Sequence, residues 1–207
     1  MSTTDESTAQ TAPALAVADP APLGLAAFAL TTFLLSASNA KWMNSATGDA
    51  WLGYALAYGG LGQLLAGMWE FRNKNVFGAT AFSTYGGFWI GLALWVLLVA
   101  PNAASATAAD HDLGWILLAF AIFNTYMMLW SSALNMAVFA VFLTLELTEI
   151  VLFIGFLSNS SGTVKIGGYV GILTALCAWY ASAAGVISGM KGRPVLPVGK
   201  PFGAMSG

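Results

Sequence analysis

Apolar residues fall in six long stretches along the chain, separated by short polar segments. The stretches cover residues 22–38, 51–71, 78–100, 113–130, 134–157 and 164–190. Each is long enough for a helix to cross about 30 Å of hydrocarbon at 1.5 Å per residue. The sequence lacks the ten-residue alternating segments that are typical of membrane β-strands. The pattern therefore predicts six membrane-spanning helices.

The composition narrows the class of protein further. Apolar residues make up 58% of the chain and charged residues 8%, whereas a soluble domain carries about 25% charged residues. We therefore predict an all-α integral membrane protein, a six-transmembrane-helix bundle in contact with the lipid bilayer. The net charge of −2 offers no basic surface, so nucleic acid is not an expected partner.

Few residues are available for metal or catalytic chemistry. Cys177 is the one cysteine and His111 the one histidine, so we expect no metal site and no cofactor. The run Asp110-His111-Asp112 is expected to be a solvated loop. The sequence contains no nucleophile elbow, P-loop or dinucleotide fingerprint, which indicates that the protein is not an enzyme.

The charged residues predict how the chain crosses the membrane. We expect a flexible N-terminal tail over residues 1–21, a transmembrane domain over 22–190 and a cytoplasmic C-terminal tail over 191–207. Basic residues are enriched in cytoplasmic loops, so the distribution of charge predicts a multi-pass protein of the plasma or inner membrane with both termini in the cytoplasm. Five basic residues lie on the side of the termini and two on the opposite side: Arg72, Lys74, Lys191, Arg193 and Lys200 against Lys41 and Lys165.

Neutral polar residues inside the apolar stretches are candidates for lining a substrate pathway, because polar groups in a membrane usually face the bundle interior. Neutral donors would bind a small anion only moderately, as conduction requires. A threonine can instead donate to a carbonyl of its own helix, and this alternative stays open. The candidates are Thr31, Thr32, Asn39, Gln63, Thr84, Asn124 and Thr148.

Small residues on the last stretch form a further candidate wall of the pathway. Gly171, Ala175 and Ala178 recur at i, i+4 and i+7 and therefore share one helix face. The alternative is that they serve only close helix packing.

Two carboxylates interrupt the fifth stretch. Glu146 and Glu149 are three residues apart and share a helix face, and a charge at the membrane centre costs at least about 2.5–3.5 kcal/mol. We interpret them as candidates for protonation that controls the pathway, with a helix end or a subunit contact as the alternative. Glu70, close to Arg72 and Lys74, is expected to form a surface ion pair.

Four motifs, in order over residues 19–199, resemble the acetate uptake transporter family, also called the acetate/succinate permease family. Residues 19–25 read Asp-Pro-Ala-Pro-Leu-Gly-Leu, similar to the family signature Asn-Pro-Ala-Pro-Leu-Gly-Leu. The other motifs are Tyr-Gly-Gly-Leu-Gly-Gln at 58–63, Asn-Val-Phe-Gly-Ala-Thr-Ala-Phe at 75–82 and Gly-Arg-Pro-Val-Leu-Pro at 192–197. Two features depart from the family: Asp19 replaces an asparagine, and the fifth helix of the family is normally apolar around Glu146 and Glu149.

The resemblance implies a six-helix protomer, a hexameric homo-oligomer and a pore through each protomer. It also implies a hydrophobic constriction formed by Phe28, Tyr85 and Leu145. The expected function is a channel or transporter for acetate and related short carboxylates, succinate among them. One alternative is a proton-coupled carboxylate symporter that uses Glu149 or Glu146. Another is a membrane sensor or assembly protein that transports nothing.

Overall fold

A computed structural model describes residues 17–44 and 49–202, and this described part is helical without strands. Most of the expected N-terminal tail, residues 1–16, lies outside the described residues, as do the last residues of the C-terminal tail, 203–207. The first helix begins at Ala21, with Pro20 of the signature motif immediately before it and Pro22 in its first turn. These positions suit proline, whose fixed φ and missing N–H are tolerated at a helix start.

Six helical rods follow one another along the described chain. Helices α1, α4, α5 and α6 are regular, whereas α2 contains an internal π-helical segment and α3 ends in a π-helical and a 3₁₀ turn. Their bounds are α1 Ala21–Asn39; α2 Trp51–Tyr54, Ala55–Gly62 and Gln63–Arg72 in direct succession; α3 Val76–Leu94, Trp95–Val99 and Ala100–Asn102; α4 Ala106–Ser131; α5 Met136–Leu157; and α6 Ser161–Lys191.

Five of these helices within residues 17–44 and 49–202 are long and apolar enough to cross a membrane: α1, α3 with its terminal turns, α4, α5 and α6. The chain is therefore a helical, multi-pass membrane protein. Helix α2 is not among the five. It runs without a break from Trp51 to Arg72 but carries Gln63, Glu70 and Arg72, which make it less apolar than the others.

Polar residues at the helix starts account for several boundaries. The side chains of Asn75, Ser105, Asn135 and Ser160 each accept a hydrogen bond from the backbone N–H three residues later, which satisfies a free donor of the first turn. The cap at Ser105 starts α4 seven residues before the predicted apolar stretch. The run Asp110-His111-Asp112 therefore lies in a helix, exposed to solvent, and the prediction of a loop there is wrong.

The helices pack as a ring in the order α4, α5, α6, α1, α2, α3. Aromatic contacts join α3 to α4 and close the ring, with Phe88 and Phe120 4.6 Å apart and Tyr85 and Phe123 5.5 Å apart between ring centroids. Helices α2 and α3 approach closely at Gly86, where a Cβ would lie 2.7 Å from the backbone nitrogen of Leu64. Helices α1, α3 and α5, every second one in this order, therefore each contribute side chains to one central cluster.

The C-terminal segment is docked on the bundle as far as Phe202. Helix α6 ends at Lys191 and is followed by Gly192, whose φ of +62° favours glycine. Beyond it, the carbonyl of Val198 accepts from the N–H of Ala137 at 2.9 Å. The hydroxyl of Tyr180 donates to the carbonyl of Pro197 at 2.7 Å. These bonds hold the segment against α5 and α6.

Candidate functional site

Three large side chains meet at the centre of the ring. Phe28 of α1, Tyr85 of α3 and Leu145 of α5 are all buried and belong to one cluster of packed side chains. The rings of Phe28 and Tyr85 lie 5.7 Å apart at 62°, a favourable edge-to-face arrangement. Ala178 of α6 is fully buried in the same cluster. The structure thus brings the predicted constriction residues together from three different helices.

Two small cavities lie on opposite sides of these three residues. The first, here called the Glu149 cavity, measures about 40 Å³, and the second, the Gln63 cavity, about 20 Å³. Phe28, Tyr85 and Leu145 line both. Residues that follow them on their helices line the Glu149 cavity, and residues that precede them line the Gln63 cavity. Helices α1, α3 and α5 therefore run in the same direction through the site.

Each small cavity leads toward a larger vestibule. The Glu149 cavity shares Leu35, Asn39, Leu117 and Leu152 with a vestibule of about 160 Å³ that contains Asp49, here called the Asp49 vestibule. The Gln63 cavity shares Leu25 with a vestibule of about 290 Å³ that contains Asp19, the Asp19 vestibule. The two small cavities share Phe28, Tyr85 and Leu145, and each shares at least one further residue with its vestibule.

Four of the predicted pathway residues line these spaces. Thr32 and Thr148 line the Glu149 cavity, Asn39 lines both that cavity and the Asp49 vestibule, and Gln63 lines the cavity on the opposite side. The hydroxyl of Thr148 is already engaged, because it donates to the carbonyl of Thr144 at 2.8 Å and lies 3.0 Å from the hydroxyl of Thr174.

The other predicted pathway residues line none of these four spaces. Thr31 donates to the carbonyl of Ala27 in its own helix at 3.1 Å, which is the alternative to a pathway role that the sequence analysis left open for threonines. A Cβ at Gly171 would meet Ser36 of α1 and Thr148 of α5, so this glycine permits close packing of three helices. Ala175 is fully buried and Thr84 is half-buried.

Asn124 forms the centre of a buried hydrogen-bond network beside the constriction. Its amide nitrogen donates to the backbone carbonyl of Phe142 at 3.0 Å and to Oε2 of Glu146 at 2.8 Å. The hydroxyl of Thr125 lies 2.8 Å from Oε1 of Glu146. The one hydrogen of the Thr125 hydroxyl is shared between Glu146 and the carbonyl of Ala121, 2.9 Å away. Each oxygen of the buried Glu146 thus has a side chain within hydrogen-bond distance, which offsets part of the cost of burying the carboxyl group.

The same network fixes the direction of the Tyr85 hydroxyl. The amide oxygen of Asn124 can only accept, and the Tyr85 hydroxyl donates to it at 2.9 Å. A tyrosine hydroxyl has one hydrogen, so toward Oε1 of Glu149, 3.5 Å away, the Tyr85 oxygen can only accept. Glu149 can complete this bond only when its carboxyl group carries a proton.

Trp89 is a site residue that the sequence analysis did not identify. It is 2% exposed and lines the Glu149 cavity, and its indole N–H has no hydrogen-bond partner. It lies four residues after Tyr85, so helical periodicity from the constriction was the signal that would have found it.

Glu70 does not form the expected surface ion pair. It is fully buried, and its Oε2 accepts from the side-chain nitrogen of Asn73 at 3.3 Å. Arg72 and Lys74 are exposed, and within the described residues neither forms a salt bridge with it. The turn after α2 folds back on Glu70, whose backbone carbonyl accepts from Asn75 at 3.0 Å, and so removes this side chain from water.

Asp19, which stands where the family signature has asparagine, contacts the start of α1 through its side chain. Its carboxylate accepts from the backbone N–H of Ala21 at 3.0 Å, a contact that needs only an acceptor.

No cluster of three or more metal-ligating side chains occurs in residues 17–44 and 49–202.

Known protein sequences are similar to this chain over most of its length. The sequence model of the GPR1/FUN34/yaaH family matches residues 2–198. The chain is 38% identical to "Acetate permease A" of Emericella nidulans over 87% of the chain and 65% of that protein. It is 32% identical to "Succinate-acetate/proton symporter SatP" of Escherichia coli K12 over 89% of the chain and 96% of that protein.

A solved structure of similar fold was also found. The bacterial acetate channel SatP superposes with a TM-score of 0.82 at 31% identity, covering 89% of this chain and all of that one. The chain spans less than two thirds of the length of several fungal relatives, the permease among them.

Proposed function

Because the chain belongs to the GPR1/FUN34/yaaH family, we propose that it is a membrane channel or transporter for acetate and related short carboxylates, succinate included. The observation that supports this proposal is that Phe28, Tyr85 and Leu145 line two small cavities, each of which shares lining residues with a larger vestibule. The relatives named for acetate transport and the acetate channel of similar fold give the solute its chemical class.

The constriction favours small monocarboxylates on physical grounds. Phenyl and leucyl side chains offer an anion no hydrogen bonds, so the carboxylate must cross a short dry step between polar regions. The methyl group of acetate tolerates that step. A second charge on the solute raises the free energy of crossing, because each charge must leave water for a passage of low dielectric constant. Acetate should therefore pass more readily than a dianion.

The proposed topology has six spans, with α2 as the sixth. Helix α2 supports this because it packs between α1 and α3 and supplies Gln63 to the pathway. We propose that both termini lie in the cytoplasm of a plasma- or inner-membrane protein. The distribution of Arg72, Lys74, Lys191, Arg193 and Lys200 supports that orientation.

We propose a homo-oligomer, a hexamer by resemblance to the family, in which each protomer keeps its own pathway. The residues that line the four spaces all come from one chain, which supports a separate pathway in each protomer. Native mass spectrometry in mild detergent would report six copies; a monomer with full transport would contradict the oligomer and leave the pathway intact.

Proton coupling is a second candidate, favoured by Glu149. This carboxyl group is 4% exposed, lines the cavity next to the constriction and has one oxygen without a partner. A buried carboxyl group that the substrate must pass can bind a proton and release it as the substrate crosses, so that proton and substrate move together. Glu146, whose two oxygens are paired, is less available for this role.

Flux of labelled acetate into liposomes, with and without an imposed pH gradient, tests both candidates. Protein-dependent flux that follows the acetate gradient alone supports a channel. Accumulation of acetate driven by the pH gradient, beyond that of protein-free liposomes, supports symport. If flux never exceeds that of protein-free liposomes, transport is excluded and the sensor or assembly interpretation replaces it.

A further inference from the structure

We infer that Thr32, Trp89 and Glu149 form a carboxylate-binding ring on one side of the constriction; this deepens the proposed function and rests on it. Each residue lies four positions after a constriction residue on the same helix: Thr32 after Phe28, Trp89 after Tyr85, and Glu149 after Leu145. Four residues are about one helical turn. Because α1, α3 and α5 run in the same direction, the three side chains form a second layer one turn beyond the first.

The three side chains share a second property, which is independent of their spacing. All line the Glu149 cavity, and each has a buried polar atom without a partner: Oγ1 of Thr32, Nε1 of Trp89 and Oε2 of Glu149. Their residues are 5%, 2% and 4% exposed. A buried polar group without a partner costs about 1–3 kcal/mol, so three in the wall of one cavity need an explanation.

Neighbouring polar groups show that such a cost is avoidable in this bundle. Thr148 lines the same cavity and its hydroxyl is paired. Thr31, adjacent to Thr32, donates to a carbonyl of its own helix. Glu146, three residues before Glu149, has both oxygens engaged. Of the six buried side-chain atoms without a partner among the described residues, three lie in the wall of this cavity, and the other three belong to Gln63, Glu70 and Ser83.

The chemistry of the ring fits a small monocarboxylic acid or its anion. The indole N–H of Trp89 can only donate, and the hydroxyl of Thr32 can donate to a second oxygen. The Tyr85 oxygen can accept only from protonated Glu149, and a proton on either Glu149 oxygen leaves a carboxyl group that does not repel an anion. The remaining wall includes Leu35, Phe88, Leu117 and Leu152, which suits a methyl group, and a volume of about 40 Å³ excludes long chains.

The groups that face Glu149 determine how pH acts on the ring. On its own helix the neighbour is Glu146, and from α3 it is Tyr85. Helix α4 contributes the neutral Asn124 to this network, and α1 brings the neutral Thr32 to the cavity. No cation of the described residues lines the cavity. An anionic solute therefore binds more tightly when Glu149 is protonated.

Acetate binding to the purified full-length protein, measured by saturation-transfer NMR on the acetate methyl signal, tests the ring without requiring flux. Trp89→Phe removes the N–H donor and keeps an aromatic ring; Thr32→Val removes the hydroxyl and keeps the shape. Each should weaken acetate binding about ten-fold, the typical effect of losing a hydrogen bond to a charged group. Thr32→Ser, which restores the hydroxyl, should recover binding.

Matched controls separate loss of the donor from general damage. Trp115→Phe alters an indole that is 56% exposed, and Thr144→Val removes a hydroxyl that is paired within α5; both should bind acetate as the wild type does. In wild type, binding should tighten as pH falls over a range in which free acetate stays ionised, and Glu149→Gln should remove that dependence.

Two outcomes would overturn the ring: a wild type that binds no acetate, or Trp89→Phe and Thr32→Val variants that fold and bind acetate normally. A Thr32→Ser variant as weak as Thr32→Val would likewise assign the loss to packing. Intact binding without flux in liposomes would support the ring and overturn only the proposed transport.

Discussion

Two polar regions lie side by side in the apolar bundle, and they differ in how completely their hydrogen bonds are satisfied. Around Glu146, the amide of Asn124 and the hydroxyls of Thr125 and Tyr85 form a network in which each group lies within hydrogen-bond distance of another. Around Glu149, atoms of Thr32, Trp89 and Glu149 itself have none.

This difference separates structural from functional roles more clearly than residue type does. Both regions contain a buried glutamate of the same helix, three residues apart. A satisfied network in a low-dielectric interior rigidifies the structure around it, and this one holds the Tyr85 ring in the constriction. Unsatisfied groups beside a cavity reserve their hydrogen bonds for something that enters. We therefore expect changes in the first region to affect stability and changes in the second to affect transport.

The largest effect is expected where the pathway itself is filled. Ala178→Phe places a ring in the cluster of Phe28, Tyr85 and Leu145, where Ala178 is fully buried. Acetate flux should fall by at least about 100-fold because the ring would fill the passage, and overpacking should cost about 1–3 kcal/mol. Labelled-acetate flux in liposomes measures the loss.

Ala183→Phe is the matched control, since it adds the same ring at an exposed position of the same helix. Normal flux in the Ala178→Phe protein would place the small face of α6 outside the pathway.

The next effect tests the satisfied region. Asn124→Leu leaves the Tyr85 hydroxyl and the Glu146 carboxyl group without their partner, which should lower the free energy of unfolding by about 3 kcal/mol. Thermal unfolding in detergent measures it, with Asn102→Leu at an exposed position as the control. Unchanged stability would show that the network is not structural, and the contrast between the two regions would fail.

Leu145→Ala tests the size selectivity of the constriction, which lies between the two polar regions. A shorter side chain widens the constriction, so larger carboxylates such as butyrate should gain about ten-fold in flux relative to acetate, the discrimination that a few methylene groups supply. Competition between labelled acetate and butyrate in liposomes gives the ratio. Leu143→Ala, at a position 39% exposed on the same helix, should leave it unchanged.

The smallest effect is expected from Glu149→Gln, which keeps the shape and fixes a neutral side chain. Wild-type flux should rise as external pH falls, since protonation removes a negative charge from the path of an anion. The variant should conduct at neutral pH with a profile that is flatter by a few-fold. A steep profile that survives the substitution, together with altered assembly, would assign Glu149 to a subunit contact.

The sequence alone was sufficient for much of the architecture. Six long apolar stretches and a charged fraction of 8% specify membrane helices, because no other composition-compatible structure satisfies the backbone in lipid. The signature motifs identified the family, which the matched residues 2–198 confirm. The start of α4 was misplaced because a cap at Ser105 extends a helix through polar residues that hydropathy assigns to a loop.

Which polar residues are paired was decided only by the tertiary structure. Glu146 and Glu149 share a helix face, and nothing in their spacing indicates that Asn124, 22 residues before Glu146, would satisfy one and not the other. Glu70 was expected at the surface because its charged neighbours are, but the turn after α2 buries it. Hydropathy and periodicity determine which segments enter the membrane, whereas hydrogen-bond partners come from distant helices, and only their packing brings donors and acceptors within reach.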